Sequence, residues 1–78
     1  MSRRYTWIEA CDETGAERTF LVHCLKAQWV QPAFAEEAEL DDADLARLRL
    51  IISLREDFGV NDEAVPVILH ILDQLHRG

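Results

Sequence analysis

The chain predicts an all-α fold. Four segments carry helical rather than alternating apolar spacing, glycines or acidic residues bracket them, and 49% hydrophobic against 29% charged residues suits a packed soluble domain. With 78 residues it is read as one domain spanning 1–78, at the small end of what folds alone, so that dimerisation would help it.

The first helix is expected over Trp7 to Thr14, with Trp7, Ile8, Ala10 and Cys11 inward and Glu9, Asp12 and Glu13 facing water. Gly15 supplies the left-handed residue that ends it. The second helix runs from about Glu17 to Ala27, where Phe20, Leu21, Cys24 and Leu25 repeat as one apolar face. Two short helices about a glycine turn make a helix-turn-helix over roughly 7–27.

Pro32 disfavours helix at the residue before it, so residues 28–40 are expected to be an extended loop whose two short arms, around 30–40, are the only strands. Asp41 caps the next helix, about 41–58, while Asp42 and Asp44 complement its positive end and Gly59 closes it. Its apolar stripe is Leu45, Leu48, Ile51, Ile52 and Phe58, widened by Leu50 and Leu54. The last helix, about 62–76, starts at Asn61 or Asp62 and tolerates Pro66 only in its first turn. Val65, Ile68, Leu69, Leu72 and Leu75 form its apolar face, which Val67 and Ile71 widen.

Eight Lys and Arg against fifteen Asp and Glu give a net charge of −7, which repels a polyanion and attracts a basic protein surface. No apolar run approaches the roughly 20 residues that cross a bilayer, and the start Met1-Ser2-Arg3-Arg4 leads into no signal-like stretch, so the expected compartment is the cytoplasm. Cys11 and Cys24 stand outside any CxxC motif and read as buried thiols. His23 and Cys24 are adjacent and diverge on a helix, and His70 and His76 are too far apart for an i, i+4 pair, so neither a metal site nor another cofactor is expected. Nucleophile–base pairs and phosphate loops are absent from the sequence, which favours a binding protein over an enzyme.

Gly15 with Leu21, Cys24, Leu25, Val30 and Pro32, then Leu40-Asp41-Asp42-Ala43-Asp44-Leu45-Ala46-Arg47-Leu48-Arg49-Leu50-Ile51, has a spacing similar to that of a MerR-type winged helix-turn-helix domain. The tail Leu54-Arg55-Glu56-Asp57-Phe58-Gly59-Val60-Asn61, with Val67-Ile68-Leu69-His70-Ile71-Leu72-Asp73-Gln74-Leu75, resembles the CbpM chaperone-modulator family. That resemblance implies a small bacterial protein that binds the J-domain of a DnaJ-like co-chaperone of CbpA type and blocks its access to Hsp70. It also implies a homodimer through the C-terminal helices.

The alternative is a MerR-type DNA-binding transcriptional regulator. Val22, His23 and Cys24 stand where such regulators place an arginine and tyrosines, and the expected wing carries Glu36, Glu37 and Glu39 without a cation. Arg3, Arg4, Arg47, Arg49 and Arg55 remain available to touch phosphate or to pair with carboxylates. The candidate partner-binding residues are Glu9, Asp12 and Glu13 on the first helix, Phe34 as apolar anchor, and Glu36, Glu37, Glu39 and Asp42 from the acidic stretch. The competing account of that stretch is a solvated loop followed by a helix N-terminus. For Trp7 and Trp29 the expected role is core packing.

Overall fold

A computed structural model describes residues 3–77, the side chain of Arg77 apart, so Met1 and Ser2 of the chain's start lie outside the described residues. Elements follow in the order β1 (Arg4–Thr6), α1 (Trp7–Thr14), α2 (Arg18–Lys26), a 3₁₀ turn (Ala35–Glu37), β2 (Glu39–Asp41), α3 (Asp42–Glu56) and α4 (Val65–Arg77).

The main helices start and stop where local chemistry requires. Thr6 caps α1: its Oγ1 accepts from the Glu9 N–H at 3.2 Å while Glu9 Oε1 accepts from the Thr6 N–H at 2.9 Å. Gly15 (φ 79°) ends the helix, its N–H donating to the Cys11 carbonyl. Asp41 and Asp44 make the same reciprocal box at the head of α3, each N–H to carboxylate distance being 2.9 Å. Burial pushes the Asp44 carboxyl above its ordinary range, since desolvation outweighs the hydrogen bond from Asp41 N–H.

The chain is mostly helical, but a small sheet makes the all-α description only approximate, and its strands are not two arms within 30–40: one lies at the end of that stretch and the other at Arg4–Thr6. β2 pairs antiparallel with β1, in the register Arg4↔Asp41, Tyr5↔Leu40 and Thr6↔Glu39. Pairing with the chain's start buries Tyr5 and Leu40 together against the core. Residues 30–38, with Pro32 lacking an N–H donor, form no strand; the 3₁₀ turn closes instead through Glu37, Ala38 and Glu39 N–H groups donating to the carbonyls of Phe34 and Ala35.

The second helix stops before Pro32 can act. Gln28 takes a left-handed conformation (φ 62°), and the Trp29 N–H then donates to the Cys24 carbonyl at 2.9 Å, folding the indole back into the core. The last helix begins at Val65, later than expected, because Asn61 first closes a turn over residues 62–64: its Oδ1 and its carbonyl both accept from the Ala64 N–H.

One core joins all the main elements: Tyr5, Ala10, Leu21, Cys24, Trp29, Val30, Leu40, Leu45, Leu48, Ile51, Val65 and Leu69. Phe58 leaves the expected α3 stripe because the helix ends at Glu56, and the residue is 75% exposed. On α4 the inward side is Val65, Ile68, Leu69 and Leu72, whereas Val67, Ile71 and Leu75 are exposed. Leu75 thus sits on the outer stripe rather than the core face.

Candidate partner-binding surface

The two-stranded ribbon of β1 and β2 organises six residues into two clusters, Arg4 with Phe34 and Glu39, and Arg3 with Tyr5 and Asp42. Arg4 lies over the Phe34 ring at 3.7 Å and also reaches Glu39 Oε1 at 3.4 Å. Arg3 lies over the Tyr5 ring at 4.8 Å, and its backbone N–H donates to Asp42 at 3.1 Å. Tyr5 Oη donates to the other Asp42 oxygen at 2.8 Å. Those two donors hold the Asp42 carboxyl below its ordinary range, while the same bond to Asp42 raises the Tyr5 phenol. Phe34, expected as an open anchor, is half-buried and already covered by a guanidinium.

Glu36 and Glu37 are different. Both are exposed on the 3₁₀ turn and make no ion pair among the described residues. On α1, the Thr6 backbone and hydroxyl hold the Glu9 carboxyl below its ordinary range. Asp12 and Glu13 are exposed, and neither carboxylate has an ion-pair partner among the described residues. The structure thus gathers Phe34, Glu39 and Asp42 into the ribbon, and sets Glu9, Asp12 and Glu13 along α1.

Sequence reasoning missed two surface residues. Trp7 and Ile8, expected inside, are 41% and 56% exposed because Ala10 and Thr14 turn toward the core instead. The box between Thr6 and Glu9 was the available signal, since it fixes where α1 starts and therefore which way each residue faces.

Cys24 is buried, with its thiol pushed up to about 11 by desolvation, and Cys11 is half-buried and raised for the same reason. The described residues contain no group of three or more His, Cys, Asp or Glu that could hold a metal ion. A cleft of about 230 Å³ between the α1–α2 turn and α3 is lined by Gly15, Ala16, Glu17, Phe20, Ile52, Arg55 and Glu56. Among the described residues, no helix is long and apolar enough to cross a membrane.

With a helix-turn-helix whose second helix is solvent-facing on one side, the family model for MerR HTH family regulatory proteins matches residues 5–77. The chain belongs to that family. Neither curated proteins nor solved structures gave a significant match.

In this MerR-family domain the cations that could meet phosphate are largely engaged. Arg47 makes a two-pronged pair with Asp73, at 2.8 and 2.7 Å, and donates from Nε to the Trp29 carbonyl at 3.2 Å. Arg49 reaches the Glu13 carbonyl at 3.4 Å. Arg55 pairs with Asp62 at 3.2 Å and lies over the Phe20 ring. His23 approaches the same Asp62 at 3.6 Å and sits edge-on to Trp29. Exposed Arg18 and Lys26 on α2 stand apart from these pairs.

Proposed function

We propose that this MerR-family domain is a chaperone modulator. It binds the J-domain of a DnaJ-like co-chaperone of CbpA type, occludes the surface that engages Hsp70, and acts without catalysis or cofactor. The observation that carries this function is the turn at Ala35–Glu37, which presents Glu36 and Glu37 to solvent where a nucleic-acid grip needs cations. The net charge of −7 acts in the same direction, favouring a basic protein partner over a polyanion. The similarity of the tail from Leu54 to Leu75 to the CbpM family supplies the identity of that partner. The exposed α4 stripe of Val67, Ile71 and Leu75 supports a homodimer through the last helix, since a monomer gains nothing by leaving it in water.

Titration against the isolated J-domain, with generic duplex DNA as parallel titrant, tests the function. Saturable J-domain binding is expected, weakening as salt rises because charges are screened beyond about 10 Å at 0.1 M. Binding to DNA alone would overturn it and make the domain a transcriptional regulator.

A further inference from the structure

Helix α1 has an outer face that nothing in the fold covers. Successive residues turn by about 100°, so Ile8 and Asp12 follow one line along the crest, with Trp7 and Cys11 on one flank and Glu9 and Glu13 on the other. Ala10, 0% exposed, faces the opposite way, into the core. An indole and an aliphatic side chain therefore stand in water beside three carboxylates, although the same helix buries only an alanine.

We propose that this crest is where the partner docks. It takes a basic amphipathic helix of the J-domain, laid so that its apolar side meets Trp7 and Ile8 while its lysines or arginines meet Glu9, Asp12 and Glu13. The proposal rests on the modulator function above. The mixed chemistry selects the occupant: apolar contact alone would suit a second copy, carboxylates alone would suit any cation, and the two together suit a helix apolar on one side and basic on the other. Nucleic acid and anionic lipid are both repelled by the carboxylates.

Of the competing surfaces, the turn of Glu36 and Glu37 offers carboxylates but no exposed large apolar side chain, and the others have their own occupants. Around β2, the Phe34 ring is covered by Arg4, Glu39 is paired with Arg4, and Asp42 accepts from Tyr5 and Arg3. A partner there would have to displace internal contacts. The α4 stripe carries no carboxylate along its line from Val67 through Ile71 to Leu75, and so suits a like surface better than a basic one.

The test uses the full chain and the isolated J-domain at about 0.1 M salt. Asp12→Lys with Glu13→Lys, and separately Ile8→Ser, alter only exposed side chains, and each is expected to weaken binding about tenfold or more. Glu36→Lys with Glu37→Lys probes the competing turn and is expected to cost less. As a readout independent of those variants, Trp7 emission should shift to the blue on saturation, and Trp7→Phe should abolish the shift, because Trp29 is already buried at 8% exposure. J-domain binding that persists unchanged in the α1 variants, or is lost only in the turn variant, or leaves Trp7 emission unmoved, overturns the proposal and leaves the modulator function standing. If the wild-type chain does not bind the J-domain, both fall.

Discussion

Two leucines on one helix give the sharpest check on how α4 sits. Leu69 is 4% exposed and packs into the core, whereas Leu75, six residues on, is 71% exposed. The same change to alanine therefore removes a packed side chain at one site and a solvated one at the other. Leu→Ala in a core costs about 2–5 kcal/mol, and a value near 3 suits an edge helix that can partly collapse onto the gap. A domain of this size has a total stability of about 4–12 kcal/mol, and each kcal/mol moves its melting point by about 4–8 °C. Leu69→Ala should thus melt about 12–24 °C lower, while Leu75→Ala should lie within about 0.5 kcal/mol of wild type when dilute. Melts followed by far-UV circular dichroism over a hundredfold range of protein concentration make the comparison. Should a second copy cover the outer stripe, the Leu75→Ala deficit grows with concentration, since association stabilises only the intact surface. Equal losses for the two variants in dilute solution would refute the orientation of α4 and, with it, the separation of an inner and an outer face.

Two further outcomes follow from the side-chain chemistry. The Arg47 fork holds the Asp73 carboxyl below its ordinary range, so the stability that pair contributes is present above the unfolded value of about 3.9 and is lost as pH falls through the lower folded value. The stability difference between wild type and Arg47→Met should accordingly shrink on acidification below about pH 4, as read by urea titrations at successive pH values; a difference that stays constant would mean the pair does not titrate with folding. Native protein should react with a thiol reagent at pH 8 through Cys11 first, because Cys24 is buried with its thiol pushed up to about 11, and Cys24 should follow only in denaturant. Two thiols reacting at one rate in the native protein would contradict the packing of α2.

What the sequence made legible was punctuation. Gly15 and Asp41 announce helix ends by chemistry confined to a few residues, and the structure bears them out with a left-handed φ at Gly15 and a reciprocal carboxylate box at Asp41, whereas Gly59, also left-handed, lies three residues beyond Glu56, where α3 stops. Long-range pairing was not legible. The strand register joins Tyr5 to Leu40, and strands of three residues are too short for their alternation to stand out from chance. The same distance hid the covering of Phe34, because Arg4 reaches it only once β1 has paired with β2. Trp7 and Ile8 were misplaced for a different reason: on an eight-residue helix, hydrophobicity alone does not fix the inward face, and the small residue Ala10 took it.

A helix-turn-helix leaves one side of its second helix exposed whatever it binds, so partner choice falls to the charges and apolar groups on the surfaces beside it. Here α2 offers Arg18 and Lys26, but α1 beside it offers Glu9, Asp12 and Glu13, and the turn after α2 offers Glu36 and Glu37. Each such charge contributes only about 1 kcal/mol at 4 Å in water, too little to define a partner singly. On the proposed function their sum steers the approaching surface inward and the apolar crest of Trp7 and Ile8 retains it, because desolvating those side chains needs an apolar counterpart that a phosphate backbone lacks. On that proposal, then, the acidic residues and the exposed apolar crest act together, the first by repelling a phosphate backbone and the second by requiring an apolar counterpart.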